Sequence, residues 1–476
     1  VLLVFPAGGF STKEPLPPLG LAFLGAVLER EGIPVAIIDA AAERLSAGAL
    51  RRRIADFRPD LVGITVLTEF RFSSFAAAKL ARAVAPEAVV ILGGPHVTLA
   101  AEDTAGHVPE ADFVVRGEAE ETILLLIRAL SGQGDPGSVP GLTWRDGEGV
   151  RSTPDAPLVR DLDALPFPAR HLLPMARYRF TLDVPGVGQR PAAHTITSRG
   201  CPFGCSFCAT STMMGMKWRA RSAENVLAEV EQVVGQGIDA LWFYDDTFTM
   251  ARKRVADICQ GIIDRGWKIH FTCSIRVDTV DRELLALMKR AGCFKVFFGV
   301  ESGNQETIDR VCGKRISLDQ VRDVARWCDE LGILKNPGYI IGFPGETEEQ
   351  ARETVRFMGE IGGQASLSFL RIYPGTAIER IAREAGIISP SFSWSDPQMR
   401  GGTSVGAAHG NSPLFLDTLS WEAMSRLSVE WAARERIPLW RKIPKALLAV
   451  RSWRELRLLA VTGREYLRAV LNRGRA

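Results

Sequence analysis

The sequence predicts an α/β protein: a doubly wound, Rossmann-like N-terminal domain, a partial (βα)6 TIM-type barrel, and a mostly helical C-terminal region. Three observations predict it. Strand-length apolar runs alternate with helical periodicity in two series, separated by a stretch rich in Pro and Gly. With 476 residues, the chain is too long for one ordinary core. Three of its eight cysteines crowd into positions 201, 205 and 208, where the second series begins.

The first series, placed at residues 1–135, reads as strands Val1–Phe5, Val35–Ile38, Leu61–Val66, Val89–Leu92 and Asp112–Val115. Helical stretches at Leu19–Arg30, Ala47–Phe57 and Ser74–Ala83 lie between them. Strand–helix alternation of this kind makes a parallel sheet, and ligands of such sheets sit beyond the carboxyl ends of the strands. Turn-rich segments follow those ends here: Pro6-Ala-Gly-Gly-Phe, Gly93-Gly-Pro-His and Arg116-Gly-Glu. Residues 136–190 lose the periodicity and read as a hairpin followed by a linker.

The barrel is placed at 191–385. Its strands read as His194–Ser198, Ala240–Tyr244, Ile269–Ile275, Phe294–Val300, Gly338–Ile341 and Leu367–Ile372. Helices follow, most clearly at Ser222–Val234, Asp281–Arg290 and Glu348–Glu360, with Ser222 as an N-cap. Chemistry in such barrels collects at the carboxyl ends of the strands. The last region, 386–476, ends in a basic stretch: from Arg434 onward there are twelve Lys and Arg against three Glu. Trp453, Leu456, Leu459, Leu467 and Val470 recur there at near-helical spacing. This reads as a basic amphipathic helix against a membrane surface or a partner, or else as a helix packed on the barrel with a solvated basic face.

Composition narrows the class. The chain is 46% apolar and 24% charged, as in globular proteins, and its net charge of +3 argues against nucleic acid as the partner. No apolar run reaches the roughly 18–20 residues that span a bilayer. Val1–Phe5 is a strand-length run rather than a signal peptide, although a chain starting at Val1 leaves a short leader open. The cysteines are not spread as a disulfide framework, so a reducing cytoplasm is expected, with contact at the inner membrane surface through the basic region as an option.

The chemistry centres on Gly200-Cys-Pro-Phe-Gly-Cys-Ser-Phe-Cys208, a Cys-x3-Cys-x2-Cys loop directly after a strand. Thiolates are the ligands of iron–sulfur clusters, and a four-iron cluster usually takes four. Three close ligands leave one iron open, as catalysis requires. Zinc would want a fourth ligand nearby, and His194, the nearest histidine, lies at the far end of the preceding strand. The remaining cysteines (259, 273, 293, 312 and 328) read as buried small hydrophobes, with Cys293 and Cys312 as the remote alternatives for a second functional thiol.

This loop, with Phe207 before its third cysteine and a βα series behind it, resembles the radical S-adenosylmethionine (SAM) superfamily. The resemblance implies a four-iron, four-sulfur cluster on Cys201, Cys205 and Cys208 whose open iron chelates SAM. Reductive cleavage would then give a 5′-deoxyadenosyl radical. Around it, the resemblance assigns Phe207, Asp245 or Asp246, Arg276, Glu301, Gly338, Ile340 and Gly342 to SAM. The acidic pair would meet the amino group, Arg276 the carboxylate, Glu301 the ribose or amino group, and the glycine-bearing strand the adenine. Competing structural readings are an N-cap for Asp246, an Arg276–Glu301 ion pair, and an ordinary turn at Tyr373-Pro-Gly-Thr376.

The first series also resembles the cobalamin-binding domain of one subgroup, through Pro17-Pro-Leu-Gly-Leu-Ala-Phe-Leu, Val62-Gly-Ile-Thr65, Leu92-Gly-Gly-Pro-His96 and Val115-Arg-Gly-Glu118. That subgroup includes cobalamin-dependent radical SAM methyltransferases and the anaerobic magnesium-protoporphyrin cyclase. The resemblance spans about residues 1–385 and assigns Leu19, Gly20, Thr65, Gly93, Gly94, Gly117 and Glu118 to cobalamin. The Asp-x-His-x-x-Gly pattern of many cobalamin domains is absent, and His96 does not reproduce it, so no protein histidine is expected on cobalt. A flavodoxin-like domain that only supports the barrel is the alternative.

The resemblance implies methylation of an unactivated carbon on a small or lipid-like substrate, with electrons from a flavodoxin- or ferredoxin-type donor. The alternatives are oxidative cyclisation or rearrangement, and a non-catalytic cobalamin- or SAM-responsive sensor. Methylthiolation of transfer RNA is disfavoured, because neither an added RNA-binding domain nor the expected N-terminal cysteines are present.

Overall fold

Apolar runs bounded by turn residues form the strands, and the order in which they pair decides where ligands can sit. In the computed structural model, residues 1–6, 16–396 and 412–434 are described, with single positions at 457, 460, 463 and 464. They fall into two units, one of residues 1–180, 209–221 and 391–400, the other of 181–208, 222–390 and 401–476.

The first unit holds β1 (Leu2–Phe5), β2 (Ala36–Asp39), β3 (Leu61–Thr65), β4 (Val89–Gly93), β5 (Phe113–Val115), β6 (Leu142–Asp146) and β7 (Gly149–Ser152). They form one sheet in the order β2-β1-β3-β4-β5-β6-β7. The first five run parallel, while β6 and β7 add an antiparallel hairpin to the edge. The order 2-1-3-4-5 is the flavodoxin-like arrangement, whose crevice opens where the order reverses. Both faces are covered: Val4, Ile64 and Leu92 belong to one apolar cluster, and Leu3, Ile91 and Val115 to the other.

Residues 153–180, expected as linker, are instead fastened to this unit. Arg30 donates to the carbonyl of Ala164 and Ala169 donates to that of Ala22. Leu172 lies over Gly25, and the Tyr178 hydroxyl donates to Asp39 at 2.7 Å. The small Gly25 permits the approach, since a methyl there would meet Leu172 at 2.8 Å.

The strands that follow are β8 (Thr181–Val184), β9 (Gly188–Thr195), two-residue β10 (Ser198–Arg199) and β11 (Arg219–Ala220), and β12 (Ala240–Phe243). After them come β13 (His270–Ile275), β14 (Cys293–Glu301), β15 (Leu334–Ile341) and β16 (Ser366–Phe369). The second unit's main sheet runs β16-β15-β14-β13-β12-β9-β8. Six of these strands are parallel, which is the expected half-barrel, and β8 closes its edge as a hairpin partner of β9. The first barrel strand therefore starts earlier than its apolar residues suggest, because hairpin pairing extends it to Gly188.

Helix caps agree with the sequence: Ser222 accepts from Asn225, and Asp281 from Leu284. Capping boxes start the helices Leu318–Leu331 and Glu348–Ile361. Thr376 caps the helix Ala377–Glu384, so Tyr373-Pro-Gly-Thr376 is the ordinary helix-opening turn. In the C-terminal region Trp421–Arg434 is helical. The basic amphipathic stretch expected beyond it, including Trp453, lies outside the described residues. No described helix is long and apolar enough to cross a membrane.

Candidate functional site

The cysteine loop leaves the carboxyl end of the first parallel strand of the barrel. Gly200 and Gly204 take φ of 85° and 60°, a left-handed backbone that a side chain would strain, and these two turns curl the loop. Cys201, Cys205 and Cys208 are half-buried thiols. Burial pushes the Cys205 thiol up to about 11, against the pull of Lys314 and Arg276, and raises Cys201 as well. Among the described residues, no three Cys, His, Asp or Glu side chains converge as a single ion requires. Three thiols on one short loop suit a cube, whose thiolates attach to separate irons.

The loop is braced from several strands. Phe203 lies under the guanidinium of Arg276, whose carbon is 3.4 Å from the ring centroid. Ser206 donates to the carbonyls of Val311 and Cys312, and its own carbonyl accepts from Ile378. Phe207 meets Phe343 edge-on at 5.8 Å, which joins the loop to the glycine-rich turn after β15. Cys312 thus sits beside the loop through its backbone, while its thiol is buried.

The acidic pair after β12 divides in two. Asp245 is fully buried and accepts from Thr197 N at 2.6 Å, Thr197 Oγ1 at 2.5 Å and Ser198 Oγ at 2.7 Å. Burial raises its pKa, and these bonds oppose that rise. It clamps the segment leading into the cysteine loop. Asp246, the next residue, is exposed.

Arg276, after β13, does not pair with Glu301. Its Nε and Nη2 make a two-pronged bridge to Asp278 at 2.9 and 2.8 Å, and Nη2 also donates to the carbonyl of Lys314 at 3.0 Å. Glu301, at the end of β14, pairs instead with Lys314, whose Nζ lies 2.6 Å from Glu301 Oε1 and 2.6 Å from the carbonyl of Gly299. Both side chains are about nine-tenths buried, and Glu301 holds φ of 73°. A non-glycine residue in that conformation at a strand end marks a site where placement outweighs backbone comfort. Sequence reasoning missed Lys314, because a lone lysine in a loop thirteen residues beyond Glu301 gives no periodic signal.

On β15, Gly338 and Ile340 share the face away from the helices. The backbone N–H groups of Gly342 and Phe343 donate to Glu346 Oε2 at 2.5 and 3.1 Å. Burial pushes the Glu346 carboxyl up to about 7, and its Oε1 is buried without a protein partner. Glu346 was also missed; it reads from sequence as a helix-start acid.

In the first unit, Thr65 and Gly93 are register partners at the ends of β3 and β4. Gly94 has φ of 103°, and a methyl there would meet Thr65 Oγ1 at 2.9 Å and Val66 O at 3.1 Å. Gly20, Gly93 and Gly117 face open space, with no described atom within 4 Å of an added methyl. Thr98 links the turns by donating to Gly94 O and accepting from Gly117 N, both at 3.0 Å. Leu19 is buried at a helix start. Glu118 is turned inward: its carboxylate accepts from Arg219 at 2.7 Å and from Val159 N at 2.7 Å.

His96 is fully buried, with Nδ1 3.1 Å from Thr68 Oγ1 and Nε2 buried without a partner. Burial, then the nearby Arg71 charge, lowers its pKa to about 3, so the imidazole is neutral. The open glycine edge beside hydroxyls fits a broad, flat group such as a corrin.

Comparisons with known proteins agree with this division. The family model of the Radical SAM superfamily matches residues 195–358, and that of the B12 binding domain matches 8–127. An uncharacterized methyltransferase of Pyrococcus horikoshii is 37% identical, over 79% of this chain and 82% of its own. The cytidylyl-2-hydroxyethylphosphonate methyltransferase of Streptomyces wedmorensis is 30% identical, over 79% of each. The methyltransferase TsrM of Kitasatospora setae, solved with cobalamin and a four-iron, four-sulfur cluster, shares the fold. Its TM-score is 0.70 at 21% identity, over 88% of this chain and 84% of that one.

Proposed function

The chain belongs to the radical SAM superfamily, in the group that also carries a B12-binding domain; from that premise we propose that it methylates an unactivated carbon of a small-molecule substrate. Its cofactors are a four-iron, four-sulfur cluster, SAM and cobalamin. When bound, they supply a 5′-deoxyadenosyl radical that takes a hydrogen from substrate and a methyl group that replaces it. The observation that carries the reading is the cysteine trio on a glycine-turned loop at a barrel strand end, in a chain that also carries the glycine-edged parallel sheet.

Within this reading Cys201, Cys205 and Cys208 hold the cluster. Asp246 would meet the SAM amino group, since Asp245 is committed to Thr197 and Ser198. Arg276, steadied by Asp278 and Phe203, would hold the SAM carboxylate, and Glu301, held by Lys314 through Oε1, would take the ribose or amino group. Gly338 and Ile340 lie against the adenine, with Gly342 fixed by Glu346. Thr65, Gly93, Gly94 and Gly117 line the cobalamin edge, with Leu19 and Gly20 at the helix start. Glu118 acts on that edge by anchoring Arg219. Electrons come from an external donor of the flavodoxin or ferredoxin type.

Anaerobic incubation of the cobalamin-loaded protein with SAM and a reductant tests the reaction class. Methylation uses SAM twice, so S-adenosylhomocysteine and 5′-deoxyadenosine are both expected. Deoxyadenosine alone would instead indicate cyclisation or rearrangement, and neither product would indicate a sensor.

A further inference from the structure

Residues 391–400 belong to the first unit although they follow the barrel in sequence. Their described part, 391–396, forms a strap on two segments that leave the carboxyl ends of β3 and β4. From β3 the chain runs through Thr65, Val66 and Thr68 to Arg71, and from β4 it runs through Gly93 and Gly94 to His96. The two segments meet at the glycine edge. His96 N donates to the carbonyl of Val66 at 3.0 Å, and Val66 N to that of Gly93 at 2.7 Å. Thr68 Oγ1 and His96 Nδ1, 3.1 Å apart, link them again.

The strap grips both. Arg71 is fully buried and donates through Nε to the carbonyl of Trp394 and through Nη1 to that of Thr68, the latter at 2.7 Å. The Trp394 ring lies 5.5 Å from the same guanidinium and meets the His96 ring edge-on at 6.2 Å. Ser395 N donates to Asp103 Oδ2 at 2.9 Å, which pins the strap to the helix Ala101–His107. A buried guanidinium has to keep its acceptors, so the strap is a fixed part of this unit rather than a loose crossing. Trp394 thereby touches one residue from each segment that carries the edge.

The spacing of those segments is already tight, since a methyl on Gly94 would meet Thr65 Oγ1 at 2.9 Å. A broad, flat ligand makes many weak contacts, and a gap of 0.5–1 Å forfeits roughly a quarter to a half of each. A small parting of the two turns would therefore cost such a ligand much of its hold.

We infer that Trp394 and Asp103 are positioning residues for cobalamin: the strap sets the spacing of the Thr65 and Gly94 turns, and with it the retention of the corrin. The inference rests on reading the glycine edge as the cobalamin site, and adds to that site a segment from beyond the barrel.

Loss of cobalamin from the cluster- and cobalamin-loaded full chain during anaerobic dialysis tests this, with iron content and SAM binding measured in the same samples. Trp394→Leu keeps an apolar side chain but removes the ring, and should speed release about tenfold, while Trp394→Phe should stay within about threefold of the parent. Asp103 offers a milder pair. Asp103→Ala should speed release about fivefold, and Asp103→Asn, which still presents an oxygen to Ser395 N, should stay within about twofold. Iron content and SAM binding should be unchanged in all four variants, which a general loss of stability would not allow. Unchanged release in both Trp394→Leu and Asp103→Ala, or iron and cobalamin lost in step, would overturn the inference alone. A parent chain that takes up no cobalamin would overturn the cobalamin reading, and the inference with it.

Discussion

The two parallel sheets carry their candidate site residues beyond the carboxyl ends of the strands, yet they finish those ends with different materials. The first sheet uses glycines and hydroxyls, namely Thr65, Gly93, Gly94, Thr98 and Gly117, beside a neutral buried imidazole, His96. Its one expected carboxylate, Glu118, is neutralised internally by Arg219. The barrel uses buried charge: Asp245 under its clamp, Arg276 with Asp278, and Glu301 with Lys314. Under the proposed function the difference matches the cargo. A broad cofactor needs backbone that can approach it closely, whereas a small zwitterion needs fixed charges in a site where water screens them little. Buried charges are costly when a partner is removed, so the barrel end should be the more fragile of the two under substitution.

The largest expected effect is at Lys314. Lys314→Met strands the Glu301 carboxylate in a buried place and should cost about 3–5 kcal/mol of stability. Chemical unfolding would show it, and adding Glu301→Gln should restore much of the loss without restoring SAM affinity. Equal damage from the single and double variants would break the contrast. Asp245→Ala should follow at about 3 kcal/mol, because three donors lose their acceptor. Iron content after reconstitution should fall with it, since the clamp positions the cysteine loop. On the other side, Gly94→Ala strains a backbone at φ 103° and crowds Thr65. A cost of about 1–3 kcal/mol is expected, together with weaker cobalamin retention at unchanged iron content.

The smallest effect sharpens the comparison through pH, because the buried groups in the two units titrate with opposite sign. His96 is lowered to about 3 from 6.5 by burial, so its share of stability is complete above pH 6.5 and is lost as the pH falls from there toward 3. Glu346 is raised to about 7 from 4.5 by burial, so its share is complete below pH 4.5 and is lost as the pH rises through 7. His96→Leu should flatten the acid arm of the stability profile and Glu346→Gln the neutral arm, each by about 1 kcal/mol per pH unit. The slopes carry the result, whatever the overall level.

Sequence made the strands and the chemistry legible to different degrees. Apolar runs bounded by turns disclosed the parallel strands of both sheets, because burial on both faces leaves an unbroken signature. The cysteine spacing disclosed the candidate cluster loop, since all three thiols fall within eight residues. Pairing between distant residues left no such trace. Lys314 meeting Glu301, Phe203 under Arg276, and Glu346 reaching Gly342 depend on where separate strand ends converge. The attachment of residues 153–180 to the first unit was hidden too, because Pro-rich sequence reads as linker whether or not it is hydrogen-bonded to a core. That Asp245 is buried and Asp246 exposed was not legible either, because adjacent residues at a strand end point opposite ways and the sequence does not say which turns inward.

Mössbauer spectroscopy of the anaerobically reconstituted chain, recorded with and without SAM, tests the central claim most directly. A four-iron cluster in which one iron changes its signal when SAM is added is the predicted result, and Cys201→Ala, Cys205→Ala and Cys208→Ala together should abolish it. A cluster indifferent to SAM, or one tightly held zinc per chain in place of iron, would contradict the account.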